Sequence, residues 1–317
     1  MFKNVTTLTD FILEEERKVE DATGSFTILL TQLENASKII ASHLQGSGLV
    51  DVLGKTGDKN AYGDEVEKLD DYANKLLVDT LLASGQVYAV ASEELEAPIY
   101  SKDKKGDYIV FFDPLDGSSN IEVNLPLGTI FSIYKKGEGD SIFQKGRMQV
   151  ASGYILYSTS VVWVYTSGNG VNGFTLDPSI GSFLLTHPSI KIPEEKNQYS
   201  INEANYNTFD EKLKGYLDKL KEQKYQLRYV GAMVADIHRT LLKGGIFIYP
   251  SSNKRPNGKL RLLFEVNPMS FLIEQAGGSA TTGEIDPLEI EPEDVSQTAP
   301  IFIGSKNEVG RYLSFIK

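Results

Sequence analysis

Tyr108-Ile109-Val110-Phe111-Phe112-Asp113-Pro114-Leu115-Asp116-Gly117-Ser118-Ser119-Asn120 begins as a run of apolar and aromatic residues and ends as a turn rich in oxygen. The first part predicts a strand. Asp113 then stands at the strand's carboxyl end, where ligands of mixed sheets bind. Pro114 and Gly117 predict a tight turn that points Asp113 and Asp116 at one spot. Two anionic oxygens that close repel unless a cation lies between them. Magnesium takes such ligands and keeps positions open for water and phosphate. Gly117, Ser118 and Ser119 add N–H and hydroxyl groups suited to phosphate oxygens. An ordinary Asp-Pro-x-Asp-Gly surface turn has the same residues, so the motif alone leaves both readings open.

Upstream, Gln86 to Val90 predicts a strand that leads into Ser92-Glu93-Glu94, a second carboxylate pair at a strand end. A solvated acidic pair is the plainer alternative. Asp64 and Asp70 flank the start of a helix predicted over 64–82, with Leu69, Ala73, Leu76, Leu77 and Leu81 on one side. Charge at a helix N-terminus also accounts for both, better for Asp64 than for Asp70, which is read as deeper in the helix. Downstream, Glu265 follows a strand-like stretch from Leu260 to Phe264.

Outside these clusters, helices are predicted over 9–19, 25–44, 209–220, within 229–242, over 267–275 and from Ser305. Strands are predicted over 128–134, 150–157, 161–165, 246–249 and near Ile301. Residues 49–63, rich in Gly, Asp and Lys, read as a long loop of the kind that forms lids. Gly24 and Ser25 open the second helix, where either an anion or a simple cap satisfies the end. His187-Pro188, Ile192-Pro193 and the polar run after them predict a junction between two α+β domains, residues 1–190 and 191–317.

The function classes that remain are limited by composition. The 317 residues contain no cysteine, which excludes disulfides, thiolate metal sites and thiol nucleophiles. A net charge of −11 makes the chain a poor nucleic-acid binder. No apolar run has the length of a membrane span. The N-terminus lacks the apolar stretch of a signal peptide, which gives a cytoplasmic expectation. His43, His187 and His238 adjoin no acidic cluster, so zinc chemistry and a Ser-His-Asp triad are disfavoured. A carboxylate-only, multi-metal phosphoryl-transfer site is left. The basic and aromatic positions Arg228-Tyr229, Tyr249, Lys254-Arg255 and Lys259-Leu260-Arg261 read either as substrate contacts or as ordinary surface charge and core.

In order along the chain stand Gly63-Asp64, Lys68-Leu69-Asp70, Ser92-Glu93-Glu94, Phe112 to Ile121, Arg228-Tyr229-Val230-Gly231, Met233 to Asp236, His238 to Leu241, Gly258 to Glu265, Asn267-Pro268-Met269 and Glu274 to Gly278. On these motifs the whole chain resembles the class I fructose-1,6-bisphosphatase family. The resemblance implies an α+β fold, a layered α/β/α/β/α sandwich of the sugar phosphatase type. It implies hydrolysis of the 1-phosphate of fructose 1,6-bisphosphate in gluconeogenesis, two to three Mg2+ per subunit, and a homotetramer under allosteric control. Glu93, Asp113, Asp116, Glu265 and the Leu115 carbonyl would hold metal, with Asp64 joining. Asp70 and Glu94 would receive a proton from the attacking water. Gly117, Ser118 and Ser119 would contact the 1-phosphate. Asn202, Tyr229, Tyr249 and Lys259 would hold the sugar and 6-phosphate, and Arg228 would reach the neighbouring subunit's 6-phosphate. An AMP site would involve Thr23, Gly24, Thr27 and Tyr108.

The chain departs from the family pattern at several positions. Asn205 stands where many members carry a tyrosine, Phe264 where a tyrosine is usual and Ala232 where a serine is usual. Asp107 and Lys135 replace a lysine and an arginine of the AMP site, which predicts weak or absent AMP inhibition. The cysteine-bearing insert of plastid members is missing. A sedoheptulose-1,7-bisphosphatase carries nearly the same metal signature. An inositol monophosphatase lacks the second-phosphate residues, and a catalytically dead metabolite sensor would not need all seven acidic positions.

Overall fold

The structure, a computed structural model, describes residues 5–18, 22–46, 55–59, 65–139 and 141–317, without the side chains of 55–59 and 65–68. Its N-terminal half comprises α1 (Leu8–Glu16), α2 (Ser25–Gly46), β1 (Lys55–Lys59), β2 (Glu65–Glu67), α3 (Lys68–Ala83), β3 (Val87–Ser92), β4 (Ile99–Tyr100), β5 (Tyr108–Asp116), β6 (Leu127–Lys135), β7 (Gln149–Tyr157), β8 (Val161–Thr166), β9 (Val171–Asp177) and β10 (Ser182–Ile190). It continues through β11 (Gln198–Ser200), α4 (Glu211–Glu222), β12 (Gln226–Leu227), α5 (Met233–Lys243), β13 (Ile246–Tyr249), α6 (Asn267–Gln275), β14 (Ser279–Thr281), β15 (Ile301–Gly304) and α7 (Lys306–Ile316). An eight-stranded sheet has the order β10-β9-β8-β7-β6-β5-β3-β4, and a five-stranded sheet the order β12-β11-β13-β15-β14.

Alternation along the strands explains the layering, because successive side chains point to opposite faces. On β8, Trp163 and Tyr165 join Leu8, Ile12, Leu30 and Leu33 of the first two helices, while Val162 and Val164 face the other way. That second face is covered by α5 and α6, through Val234, Ile237, Leu241, Met269 and Leu272. The same two helices receive Phe247, Ile301 and Ile303 of the smaller sheet. Its far face, with Ile246, Ile248 and Phe302, packs on Leu213 and Leu217 of α4 and Val309 of α7. Helices, large sheet, helices, small sheet and helices therefore stack in five layers, the expected sandwich.

Several local expectations are corrected. The strand from Tyr108 does not stop at Phe112; its ladder runs to Asp116, through an irregularity that opposes Asp113–Asp116 to Ile130–Gly128. Three steps on β5 span two on β6, a one-residue bulge containing Pro114, which has no N–H to lose. The described part of the loop 49–63 forms β1, antiparallel to β2. Backbone pairing prevails there over a polar composition, and the helix predicted from residue 64 begins at Lys68. Asp70 thus lies in the first turn of α3, not deeper. The stretch read as a strand before Glu265 is a π-helical turn over Leu262–Val266. The Arg261 carbonyl accepts both Glu265 N–H (3.1 Å) and Val266 N–H (3.0 Å), which widens the turn into α6. Strands β9 and β10 were not predicted, and Val19 of the first helix lies outside the described residues.

Candidate active site

The carboxyl ends of the parallel neighbours β3 and β5 lie side by side, with Glu93 N–H donating to the Phe112 carbonyl at 3.1 Å. Glu93 and Glu94 leave β3 there, and Asp113 lies on β5. Ile109 and Phe111 of β5 face Leu263 and Phe264 of the π turn, whereas Val110, Phe112 and Leu115 face the helices. Asp113 falls in phase with Ile109 and Phe111. The bulge then restores that phase for Asp116, which three ordinary strand steps would have sent to the opposite face. Leu115 N–H donates to Asp113 Oδ1 (3.1 Å) and Thr129 Oγ1 to the Pro114 carbonyl (2.8 Å), so the bulge is held on both sides.

The π turn delivers Glu265 to the same spot. Oxygens of Asp113, Asp116 and Glu265 all lie within 4.8 Å of one another. Helix α5 has no side-chain cap of its own, and Asp116 Oδ2 supplies one by accepting Val234 N–H at 2.6 Å. Glu265 Oε2 accepts Arg261 N–H at 2.6 Å, and Arg261 Nε reaches Glu93 Oε1 at 3.4 Å. Asp70 (4% exposed), Glu93 and Glu94 complete the wall of a cavity of about 460 Å³. Asp64 lies outside the described residues.

Burial, and then repulsion from Asp116, Glu93, Glu265 and Glu94, holds the Asp113 carboxyl well above the usual range. Burial pushes Glu265 up to about 8, with Asp116 and Glu93 adding to it and Arg261 N–H and Lys259 opposing. Asp116 is pushed up to about 6 by burial, against the pull of the Val234 and Met233 N–H groups. Such carboxylates ionise together only beside a cation. The donors are all hard oxygens, and no histidine lines this cavity among the described residues. The set therefore fits Mg2+ and does not fit a soft metal.

Beyond the cluster, Gly117 takes φ 82° and leads Ser118 and Ser119 into a 3-10 turn over Ser118–Asn120. A Cβ on Gly117 would lie 2.4 Å from Ala232 Cβ, so glycine is required both by conformation and by the approach of α5. The same cavity is also lined by Asn202, Tyr229, Tyr249, Arg255 and Lys259. An adjoining cavity of about 240 Å³ shares Asn202, Tyr249, Arg255 and Lys259 and adds Asn205, Thr208 and Lys254. Asn202 Oδ1 accepts Ala204 N–H (3.1 Å), and its side chain also hydrogen-bonds Tyr229, whose hydroxyl burial pushes up to about 12. Arg228 is not brought to the cavity within this chain; its Nη2 donates to Gln226 Oε1 at 3.0 Å. A larger groove of about 1070 Å³ between α4 and α7 has no carboxylate in its lining.

Two features escaped sequence reasoning. Asp236, fully buried, accepts Val230 N–H (3.0 Å), Gly231 N–H (3.2 Å) and Arg239 Nη2 (2.9 Å), and so fixes the loop carrying Tyr229. An aspartate in a helix's first turn gives no hint of this in one dimension. The Glu16 carboxylate accepts Gly24 N–H (3.0 Å) and the Thr27 hydroxyl. Burial, then Asp107 and Glu16, raises the Tyr108 hydroxyl above its ordinary value. Thr23 Oγ1 donates to Ser25 Oγ at 2.8 Å. Gly24, Thr27 and Tyr108 are thus neighbours of a half-buried carboxylate, and Thr23 adjoins them in sequence.

The layered sandwich and its all-carboxylate cleft define a metal-dependent sugar phosphatase. The chain matches the model of the fructose-1-6-bisphosphatase N-terminal domain over residues 6–188 and that of the C-terminal domain over residues 192–317. It is 56% identical to the class 1 fructose-1,6-bisphosphatase of Persephonella marina, covering 98% of each chain. It is 52% identical to that of a Sulfurihydrogenibium species, covering 98% of this chain and 97% of the relative. The crystal structure of Leishmania major fructose-1,6-bisphosphatase in holo form superposes with a TM-score of 0.94 at 40% identity, covering 99% of both chains. The T-state structure of the same enzyme gives 0.90 at 39% identity. The chain belongs to the fructose-1,6-bisphosphatase family.

Proposed function

We propose that the chain hydrolyses the 1-phosphate of fructose 1,6-bisphosphate to fructose 6-phosphate and inorganic phosphate, the irreversible step of gluconeogenesis, with two to three Mg2+ per subunit. The observation that carries this reading is a single cavity that combines Asp113, Asp116 and Glu265 oxygens within 4.8 Å of one another with Lys259. Glu93, Asp113, Asp116, Glu265 and the Leu115 carbonyl would hold the metal, with Asp64 joining. Bound Mg2+ supplies charge neutralisation for the phosphoryl oxygens and a more acidic water. Ser118, Ser119 and the N–H groups after Gly117 orient the 1-phosphate. Asp70 and Glu94 take the proton of the attacking water, Asp70 from a buried first helical turn and Glu94 from the end of β3. Asn202, Tyr229, Tyr249 and Lys259 hold the sugar and distal phosphate.

The protein acts in this reading as a cytoplasmic homotetramer divided near residue 190 into a regulatory and metal-binding part and a sugar-phosphate-binding part, with Arg228 reaching the neighbour's site. Among the described residues no helix is long and apolar enough to cross a membrane. Glu16 of α1, hydrogen-bonded to the start of α2, together with Asp107, supports weak AMP inhibition. Sedoheptulose 1,7-bisphosphate is the competing substrate, since the cavity's acidic and basic side chains suit either bisphosphate. Phosphate release from both sugars, with and without Mg2+, tests the assignment. No release from either by wild type, or unchanged release by Asp113→Ala and Glu94→Gln, overturns it.

A further inference from the structure

Arg255 occupies the rim where the acidic cavity and its smaller neighbour meet, and lines both. Lys254, beside it, lines only the smaller one. The turn that carries them is tightly held. Arg255 N–H donates to the Ser252 carbonyl (2.9 Å), Ser252 N–H to the Arg255 carbonyl (3.0 Å) and Gly258 N–H to the same carbonyl (3.0 Å). Asn253 N–H reaches the Thr208 carbonyl at 3.3 Å, which ties this turn to the opposite wall.

Arg147, Arg239, Arg261 and Arg311 each hold a carboxylate. Arg255 forms no ion pair among the described residues, in a chain with 43 acidic and 32 basic side chains. The smaller cavity that it lines holds no carboxylate among the described residues and includes the polar side chains of Asn202, Asn205 and Thr208. Its charge acts on the nearby Tyr249 hydroxyl, opposing the effect of burial there. An unpaired guanidinium at a fixed backbone position, sharing a cavity with short polar side chains, is suited to an anion with several oxygens.

We propose that Arg255 is a specificity-determining residue that grips the distal phosphate of the bisphosphate in two-pronged fashion, with Lys259 as the second cation on it. The proposal rests on the bisphosphatase reading and deepens it. A phosphate entering a cleft that holds six carboxylates meets repulsion, and Lys259, within the chain, offers only a point charge against it beside whatever Arg228 of the neighbouring subunit adds. The guanidinium adds charge and direction. Asn205, with its short side chain, leaves the fork room to reach the phosphate. Because Arg255 acts far from the reacting phosphate, it binds ground state and transition state alike and acts on KM rather than kcat.

The test measures fructose 6-phosphate binding to the chelated protein by calorimetry, alongside steady-state hydrolysis of fructose 1,6-bisphosphate with Mg2+. Arg255→Ala is expected to weaken binding and raise KM by roughly 10- to 100-fold, with kcat within about twofold, as for loss of a charge-assisted pair. Arg255→Lys recovers part of the loss. Lys254→Ala, a control for general charge, stays within about threefold of wild type. Unchanged binding in Arg255→Ala, or an equal loss in Lys254→Ala, overturns the proposal while wild-type turnover leaves the bisphosphatase reading standing. Absence of wild-type turnover overturns the bisphosphatase reading and this proposal with it.

Discussion

Replacing Glu265 by glutamine should stabilise the protein when metal is chelated and abolish its stabilisation by Mg2+. Glu265 is 8% exposed and its carboxyl is pushed up to about 8 from an ordinary 4.5. A carboxyl raised in this way contributes its full stability below the unfolded value, near pH 4.5, and loses it as pH climbs through the folded value, near 8. At pH 7 the loss amounts to 2.5 pH steps of 1.36 kcal/mol, about 3 kcal/mol. Asp113 and Asp116 share the same protons, and the cavity opens to water, so about 1–2 kcal/mol is the working figure. Glutamine keeps the acceptor for Arg261 N–H and removes the charge. At roughly 2 °C per kcal/mol for a chain of this size, Glu265→Gln should melt about 2–4 °C above wild type in EDTA at pH 8. The two should converge towards pH 5. Added Mg2+ should raise the wild-type Tm and leave the variant's nearly unchanged. Differential scanning calorimetry at pH 5 and 8 decides it. A variant that melts below wild type at pH 8, or a gap that does not close at pH 5, refutes the claim that these carboxylates repel one another in the absence of metal.

Asp236→Ala leaves Arg239 without its buried partner and frees the loop of Tyr229, and should cost about 3–5 kcal/mol by urea denaturation, with a raised KM at temperatures where the fold survives. Gly117→Ala should lower kcat by roughly 100-fold or more with a near-native melt, because its Cβ drives the phosphate turn against Ala232. Adding Ala232→Gly removes the colliding atom and should return part of the rate; no return would place the cost in the φ of 82° alone. AMP should inhibit wild type only at millimolar concentration, and Glu16→Gln with Asp107→Lys should lower the inhibitory concentration by about tenfold or more, since two anions near the start of α2 oppose a third. Inhibition of wild type at low micromolar AMP would contradict that account.

Legibility followed local periodicity. Strands β5, β6, β7 and β8 were read correctly because both their faces are buried, which fills them with apolar residues. Strands β9 and β10 were not, because their pattern is broken by Asn172, Thr175 and His187-Pro188. Strand β10 is an edge strand with two register irregularities and four of its nine residues exposed. Its break in composition is also what places the expected domain junction near residue 190. The run Leu262 to Phe264 is apolar throughout, and such a run does not distinguish a strand from a buried helical turn. The strand-end acids Glu93, Glu94, Asp113 and Asp116 stood out because a carboxylate after an apolar strand is easily seen. Glu265 joins them only through a π turn from another part of the chain, which no spacing announces. Asp236 and Glu16 owe their importance to the partners that folding brings them, and Arg255 to the lack of an ion-pair partner among the described residues, and one dimension records neither.

The bulge at Pro114 makes this site a matter of counting. A strand has two sides, and side chains alternate between them like odd and even numbers; Asp113 and Asp116 have opposite parity and share a side only because one residue goes uncounted in the ladder with β6. Were the bulge smoothed out with every residue kept, three regular steps would turn Asp116 towards the helices. The sheet would gain a hydrogen-bonded pair as the metal site was dismantled. What the activity inherits from this segment is therefore the bulge, as much as the two carboxylates that it brings to one side.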